Sequence, residues 1–484
     1  MEDRRSRPAG RRQFLRGVAA GVGALLVSAC GAPNPAAQPT TEPAANPTAA
    51  PPANPTAAPT AAPQPTAAPA VTQGNVSLTI MAGANDVPDD VIAQFRAANP
   101  TIAIERIDSD NTRLKAMFAA GTPPDILQRS APQVPIMVIQ NQVLDLTQYF
   151  AASELLKLDD LGPSIAYWKF DGKRVGDGKI YGMHKDWSPD LSLFINTAAF
   201  EEAGVPVPDP TKVLTYAELA QLAPKLTKKA GDRIERMGYH IEHTWMGDYI
   251  ARRLLEDGES LYTSDYAKAN IKDNPKAVEF MKYVYDLCKE NVIWNPLNPS
   301  PSGWSGDDFV KGQISVLNMG YWFTGSIRSA GDAPVKGKTM MLPGATWTGK
   351  RANPSLGGSG LIIAKATKHP DAAWKFFEYY MGGEPARARA KSGWGVPALK
   401  SLYSLIPQET DFDKQTYAVL QDEMKYATTP LDINPYFDGK IIGGLWTEKL
   451  EPALRGETTF EQLVESLDAD VNQAIADGRA AAGV

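Results

Sequence analysis

Asp86, Asp190 and Asp248 lie in loop-like stretches from separate parts of the chain, where a fold could bring their carboxylates together. Two carboxylates about 5–10 Å apart across a glycosidic bond make a glycosidase, one of them serving as proton donor. Nothing around the three marks a donor, so a secreted glycosidase is an alternative reading rather than the leading one. Other chemistries lack their motifs. The chain has no Gly-x-Ser-x-Gly elbow, no Gly-x-x-x-x-Gly-Lys phosphate cradle and no His-Glu-x-x-His. His240 and His243 are spaced to face one way, with Glu242 and Asp248 near, yet four histidines in 484 residues are few for a metalloenzyme. No metal and no cofactor is expected. Gly357-Gly358-Ser359-Gly360 precedes the apolar run 361–364. A phosphate loop follows a strand and opens a helix, so this one reads as a strand entry or a hinge. Cys288 falls on an apolar helical face, where a buried, inert thiol is expected.

Aromatic residues carry the stronger signal. Of ten tryptophans, Trp187, Trp245, Trp304, Trp322, Trp347 and Trp394 sit in segments rich in Gly, Ser, Pro, Asp or Asn. Trp168, Trp294, Trp374 and Trp446 read as core. An indole ring can cover the C–H face of a sugar while neighbouring carboxylates and amides bond its hydroxyls. Packing is the competing role for any single loop tryptophan, but six together point to recognition.

The elements that would hold these side chains alternate. Residues 76–81 read as a strand, 89–98 as a helix with Val91, Ile92 and Phe95 on one face, and 102–107 as the next strand. Leu114, Met117 and Phe118 mark a helix ended by Gly121, and 125–128 start a third strand. This order implies a parallel α/β sheet. Farther on, Thr215 with Glu218 reads as a capping box and Asn274-Pro275 as a helix start. His369-Pro370 opens another helix, and Thr458 with Glu461 should cap the last one. Roughly 410 residues exceed what one core usually holds, so two lobes are expected.

The N-terminus reads as an address. Residues 1–29 join a basic start, with Arg11-Arg12 in a twin-arginine-like setting, to a short apolar run at 18–27. Val27-Ser28-Ala29-Cys30 resembles a lipobox, making Cys30 the lipidation site and membrane anchor. In residues 31–72, 12 of 42 residues are proline and Glu42 is the only charge, so 30–74 should form an unfolded, extended stalk. The first 29 residues carry six arginines against Glu2 and Asp3, so removing them takes the net charge from −6 to −10. Such a body is a poor nucleic-acid binder. No later stretch reaches eighteen consecutive apolar residues.

Several segments resemble the extracellular solute-binding proteins of family 1, the sugar-type receptors of ABC importers that include maltose-binding protein. The resemblance is carried by Phe95 through Ile102, Ala119 through Ile126 ("AAGTPPDI"), Ile180-Tyr181-Gly182-Met183 with Leu193 through Asn196, and Phe200 through Val205. It continues through Phe309 to Gln313, Met319 to Trp322, and Gly357 to Phe377. Ile195 replaces the usual tyrosine, and Met183-His184 the usual proline step. The resemblance implies an α/β, two-lobed periplasmic-binding-protein fold with a ligand cleft and hinge between the lobes. Lobes of 75–187 plus 360–394 and 191–355 plus 396–484 follow, with crossovers at 186–191, 355–360 and 393–397. It also implies a monomer, not an enzyme, that hands a carbohydrate to ABC permease subunits. A non-sugar solute (polyol phosphate, polyamine or peptide) is the alternative within the family, and a surface adhesin is a further class. Ligand contacts are expected from Asn85 and Asp86, Gln128 and Arg129, Trp187 and Asp190, Trp245 and Asp248, and Tyr321 and Trp322. Trp347, Ser359, Trp394 and Tyr436 complete the set. Trp322 should be the stacking platform, with Gly320 letting the chain turn sharply before it.

Overall fold

Alternating apolar residues make strand β1 (Val76–Met81), with Leu78 and Ile80 fully buried. The computed structural model of the protein describes residues 75–231, 233–353, 358–427 and 432–484. The signal segment, Cys30 and the stalk lie outside the described residues, as do 355–357 of the second expected crossover. After β1 comes helix α1 (Asp89–Ala98), which turns Ile92 and Phe95 inward. Strand β2 (Ile102–Ile107), helix α2 (Asn111–Ala119), strand β3 (Ile126–Ser130) and helix α3 (Val134–Ile139) follow. β1 pairs in parallel with both β2 and β3, the arrangement that strand–helix–strand alternation implies.

The chain then passes through two short strands, β4 (Met183–His184) and β5 (Asp186–Trp187), into β6 (Ser192–Asn196), which is buried along its whole length. Helix α4 (Tyr216–Leu226) starts at the expected box: Thr215 accepts from the Glu218 N–H, and Glu218 accepts from the Thr215 N–H. Helices α5 (Met246–Leu255) and α6 (Pro275–Lys289) pack beside it, α6 capped by Asn274. Strands β7 (Val316–Met319) and β8 (Thr339–Leu342) flank β6 in an antiparallel sheet of order β7-β6-β8. This sheet and its helices form the second lobe, with its core on Phe200, Tyr249, Phe280 and Trp446.

Strand β9 (Ser359–Ile363) returns to the first sheet and completes the order β2-β1-β3-β9-β4, antiparallel to β3. Helix α7 (Pro370–Gly382) lays Phe376 and Phe377 into the first lobe's core. At roughly 1.5–3 kcal/mol per buried phenylalanine, this helix alone is a large part of what ties 370–382 to the N-terminal strands. Strand β10 (Val396–Pro397) pairs with β5 in an antiparallel ribbon. Beyond it, Leu399 and Leu402 pack in the first lobe's core and Ile406 in the second's. Helices α8 (Asp411–Met424), α9 (Ile441–Leu454) and α10 (Phe460–Ala482) finish the chain on the second lobe.

Two sequence expectations shift. The last helix is capped one residue later than expected, by Thr459 with Gln462 rather than Thr458 with Glu461. Thr459 has the extended backbone an N-cap requires, and Glu461 adds favourable charge in the first turn. The apolar run 314–317 reads in sequence as the strand before Trp322, but the strand covers 316–319 and takes in Asn318, which is buried and accepts from the Tyr239 hydroxyl.

Candidate functional site

A pocket of about 220 Å³ lies where the crossover strand β5, the start of β9 and the Trp322 and Trp394 loops meet. Lys185, Asp186, Trp187, Ser188, Asp190 and Ser359 line it. Trp322 is the middle residue of the short 3-10 turn Tyr321–Phe323 after β7, half-buried, with its ring parallel to two others. The Trp304 ring stands 6.3 Å away at 16°, and the Trp394 ring 6.4 Å away at 8°. Trp394 is 41 % exposed, so the row ends in solvent.

Gly320 has a different reason from the one expected. Its φ of −84° is ordinary backbone. A Cβ there would fall 1.7 Å from Asp190 Oδ1 and 2.6 Å from Ser188 Oγ. The glycine makes room for the carboxylate. Gly325 works in the same way, since a Cβ would meet the Trp394 ring at 2.9 Å.

Asp190 is the electrostatic centre of the pocket. Ser188 Oγ donates to Oδ1 at 2.6 Å. Burial pushes its pKa up to about 6, although Ser188, Lys440 and the Trp322 indole pull the other way. An unfolded aspartate titrates near 3.9, so the native state holds more protons between about pH 4 and 6. Stability from this group is therefore full below pH 4 and lost as pH rises through 6. Asp190→Asn removes the titration. The free variant's melting temperature should gain on the parent's from pH 4 to 6 and hold a constant lead above. A difference that stays flat across pH would show that Asp190 is not held high.

Across the pocket, Lys185 Nζ bonds Asp86 Oδ1 at 2.7 Å, and Ser359 Oγ donates to the same oxygen at 3.1 Å. Burial would lower the Lys185 pKa, but Asp186 and Asp86 more than offset it and raise it. Asp86 is thus held by a partner that sequence spacing gave no sign of. Asn85 beside it is exposed.

Other expected residues are dispersed. Asp248 pairs with Lys440 at 2.9 Å in a neighbouring crevice. Gln128 accepts from Ser109 at 3.4 Å, and buried Arg129 donates to Asn111 at 3.2 Å, both toward the C-terminal end of β3. Tyr436 lies under Arg479, 5.1 Å from the ring centroid. Trp245 is half-buried against both second-lobe cores.

Two expected contacts are corrected. Tyr321 is fully buried among Phe309, Phe323 and Ile327, so of these two neighbours only Trp322 presents a ring to the pocket. Trp347, half-buried, packs on Tyr216, Phe280 and Tyr283, with both Glu256 oxygens accepting its backbone N–H, so its ring is taken up by its own lobe and does not line the pocket. Trp187 is 1 % exposed and reaches the pocket only as wall.

His240 and His243 are absorbed into packing. His240 Nδ1 accepts from the Trp294 N–H at 3.3 Å, and Nε2 faces Glu242 at 3.7 Å. Burial lowers the His243 pKa to about 4, leaving it neutral. Among the described residues, no group of three or more His, Cys, Asp or Glu is arranged to hold a metal ion. Cys288 is buried and its pKa is pushed up by burial, the state of an inert thiol.

Residues that sequence reasoning missed join the lobes. Gln133 Nε2 donates to Asp438 Oδ2 at 3.1 Å, linking the first-lobe turn after β3 to the segment before α9. Nothing in sequence marks that pair, because 305 positions separate them.

Two α/β lobes with indoles and carboxylates where they meet give the two-lobed fold class of solute-binding proteins. Residues 90–415 match the bacterial extracellular solute-binding protein family, and the chain belongs to it. It is similar to the lactose-binding protein of Rhizobium radiobacter, 22% identical over 203 residues that cover 41% of this chain and 45% of that one. It is also similar to the arabinooligosaccharide-binding protein of Bacillus subtilis, 24% identical over 232 residues, 46% of this chain and 49% of that one. The chain thus spans about half the length of these relatives. In fold it is similar to an ABC substrate-binding protein from Listeria monocytogenes solved with cycloalternan. That match has a TM-score of 0.68 at 22% identity and covers 83% of this chain and 99% of that one. Among the described residues, no helix is long and apolar enough to cross a membrane.

Proposed function

We propose that this protein is an extracytoplasmic receptor that binds a sugar or oligosaccharide between its lobes and delivers it to an ABC import permease without chemical turnover. The observation that carries this reading is the row of parallel indoles whose middle ring, Trp322, reaches Asp190. Indole faces suit the C–H surfaces of sugar rings, and the carboxylates Asp190 and Asp86 accept from hydroxyls. The names of the relatives and the solved complex, all carbohydrate binders, support it. In this reading the lobes are 75–187 plus about 360–402 and 191–355 plus about 406–484, with hinges at 186–191 and near 402–406, because Leu399 and Leu402 pack with the first lobe and Ile406 with the second. Asp86, Asp190, Trp322, Ser359 and Trp394 hold the ligand. A native mass spectrum of the purified protein with its co-purified solute tests the reading. The expected added mass is that of a saccharide, unchanged after long incubation. A phosphorylated, amine or peptide mass, or release of shortened sugars, would overturn it.

The receptor is anchored through lipid on Cys30, with 30–74 as its tether. An acidic body has no affinity of its own for an anionic membrane surface, so the acyl chains must supply it. Cys30→Ser should therefore leave the protein soluble or unprocessed. Retention of the variant on membranes after a high-salt wash would remove the lipid anchor.

A further inference from the structure

Trp394, at the open end of the indole row, packs in none of the hydrophobic cores among the described residues. It stands between Gly393 at φ 70° and Gly395 at φ 147°, and glycines in such conformations leave a chain wide freedom. Its ring is nevertheless parallel to that of Trp322 and lies over Gly325. A restraint from outside its own loop must set it.

The Gly393 carbonyl carries that restraint. It ends the helix Glu384–Ser392, where the last carbonyls lack partners within the helix and a cation is favourable. Thr324 Oγ1 donates to it at 2.9 Å and Arg328 Nη1 at 3.1 Å, both from the helical turn Thr324–Arg328. Ile327 of that turn packs in the second lobe, while Ala386 and Ala390 hold the helix Glu384–Ser392 in the first, so the two bonds cross between lobes. Arg328 is itself aimed. Asp413, which forms the capping box of α8 with Thr410, accepts from Arg328 Nε at 2.7 Å. Arg328 Nη1 also donates to Thr324 Oγ1 at 2.7 Å. A Cβ on Gly393 would fall 2.0 Å from Arg328 Nη1, so the guanidinium occupies the space of a side chain there.

We infer that Arg328 is a positioning residue for the tryptophan pocket: with Thr324 it clamps the Gly393 carbonyl and so holds Trp394 parallel to Trp322 before any ligand arrives. The consequence for binding rests on the receptor reading above; the positioning does not, and it is tested on the free protein. Parallel indoles this close couple their electronic transitions and give an exciton couplet in circular dichroism. The part of the couplet that Trp394→Leu removes belongs to the Trp322–Trp394 pair, and the remainder to Trp304 with Trp322. Arg328→Lys keeps a cation beside Asp413, but one ammonium cannot replace the guanidinium fork that serves Asp413, Thr324 and Gly393 together. Thr324→Val keeps the Arg328–Asp413 pair and removes both a donor to the carbonyl and the oxygen that aims Arg328 Nη1. Both variants should lose much of the Trp394 part of the couplet, Thr324→Val with apo melting close to the parent's. Adding Trp394→Leu to either should then change the couplet little further. A parental couplet in either variant would overturn the assignment, whatever the melting temperature does. A Trp394→Leu spectrum equal to the parent's would overturn it as well.

Discussion

Replacing Trp322 by alanine should weaken ligand binding by about 2–4 kcal/mol, a loss of roughly thirty- to a thousandfold in affinity, with little change in apo melting. The half-buried ring lies parallel to Trp304 and Trp394, and its indole reaches Asp190. Truncation therefore removes both an aromatic face and a hydrogen bond to the carboxylate that would meet the sugar. Tyr321→Ala is the contrast. That side chain is 0 % exposed, and its loss should cost about 3–5 kcal/mol of folding stability, as removal of a large core aromatic does. Ligand titration and apo melting on both variants give opposite patterns if this assignment holds. A Trp322→Ala protein that melts many degrees lower yet binds normally would move Trp322 into the core.

The second large effect concerns stability alone. Glu423, 1 % exposed, accepts from the Gly344 N–H at 3.1 Å, from Arg351 Nη2 at 2.5 Å and from the Asn353 amide. Arg351 also bonds Asp422 at 2.5 Å and lies 3.9 Å over the Tyr426 ring. This cluster pins residues 351–353 to α8 just before the stretch that leads to β9. Glu423→Ala leaves a largely covered guanidinium half-paired and the Gly344 and Asn353 donors without this acceptor. Removing one partner of a buried pair costs about 3–5 kcal/mol, which corresponds for a folded body of this size to a fall in melting temperature of about 4–6 °C. Affinity per folded molecule should not change. A loss below about 1 kcal/mol would mean that the pair behaves like an exposed salt bridge.

These two results separate binding from scaffolding, and only part of that division is legible in the sequence. Local signals are reliable where a neighbour in sequence closes the interaction. Thr215 with Glu218 and Asn274 with Pro275 cap their helices as read, because a cap is satisfied within three residues. The first three strands pair in parallel as their alternation implied. Where two equally good local partners compete, sequence alone slips, as it did between Thr458 and Thr459. At Gly320 the right residue was singled out for the wrong reason: its backbone is ordinary, and its smallness matters because Asp190, from another segment, occupies the space of a side chain.

The sequence by itself determined the α/β alternation, the need for two lobes, the family, and a wealth of tryptophans suited to sugars. These follow from period, composition and short motifs, all properties of residues near one another in the chain. Which tryptophan faces a ligand was decided only by the tertiary structure. Trp347 and Trp322 both sit in Gly-rich loops, but Trp347 meets Tyr216, Phe280 and Tyr283 and is taken up by its own lobe, while Trp322 meets two other indoles and a carboxylate at the edge of a pocket. The Lys185–Asp86 pair and the Gln133–Asp438 link span 99 and 305 positions. A side chain's burial and its electrostatic partners depend on what the fold brings against it, and that information is not carried by its neighbours in sequence.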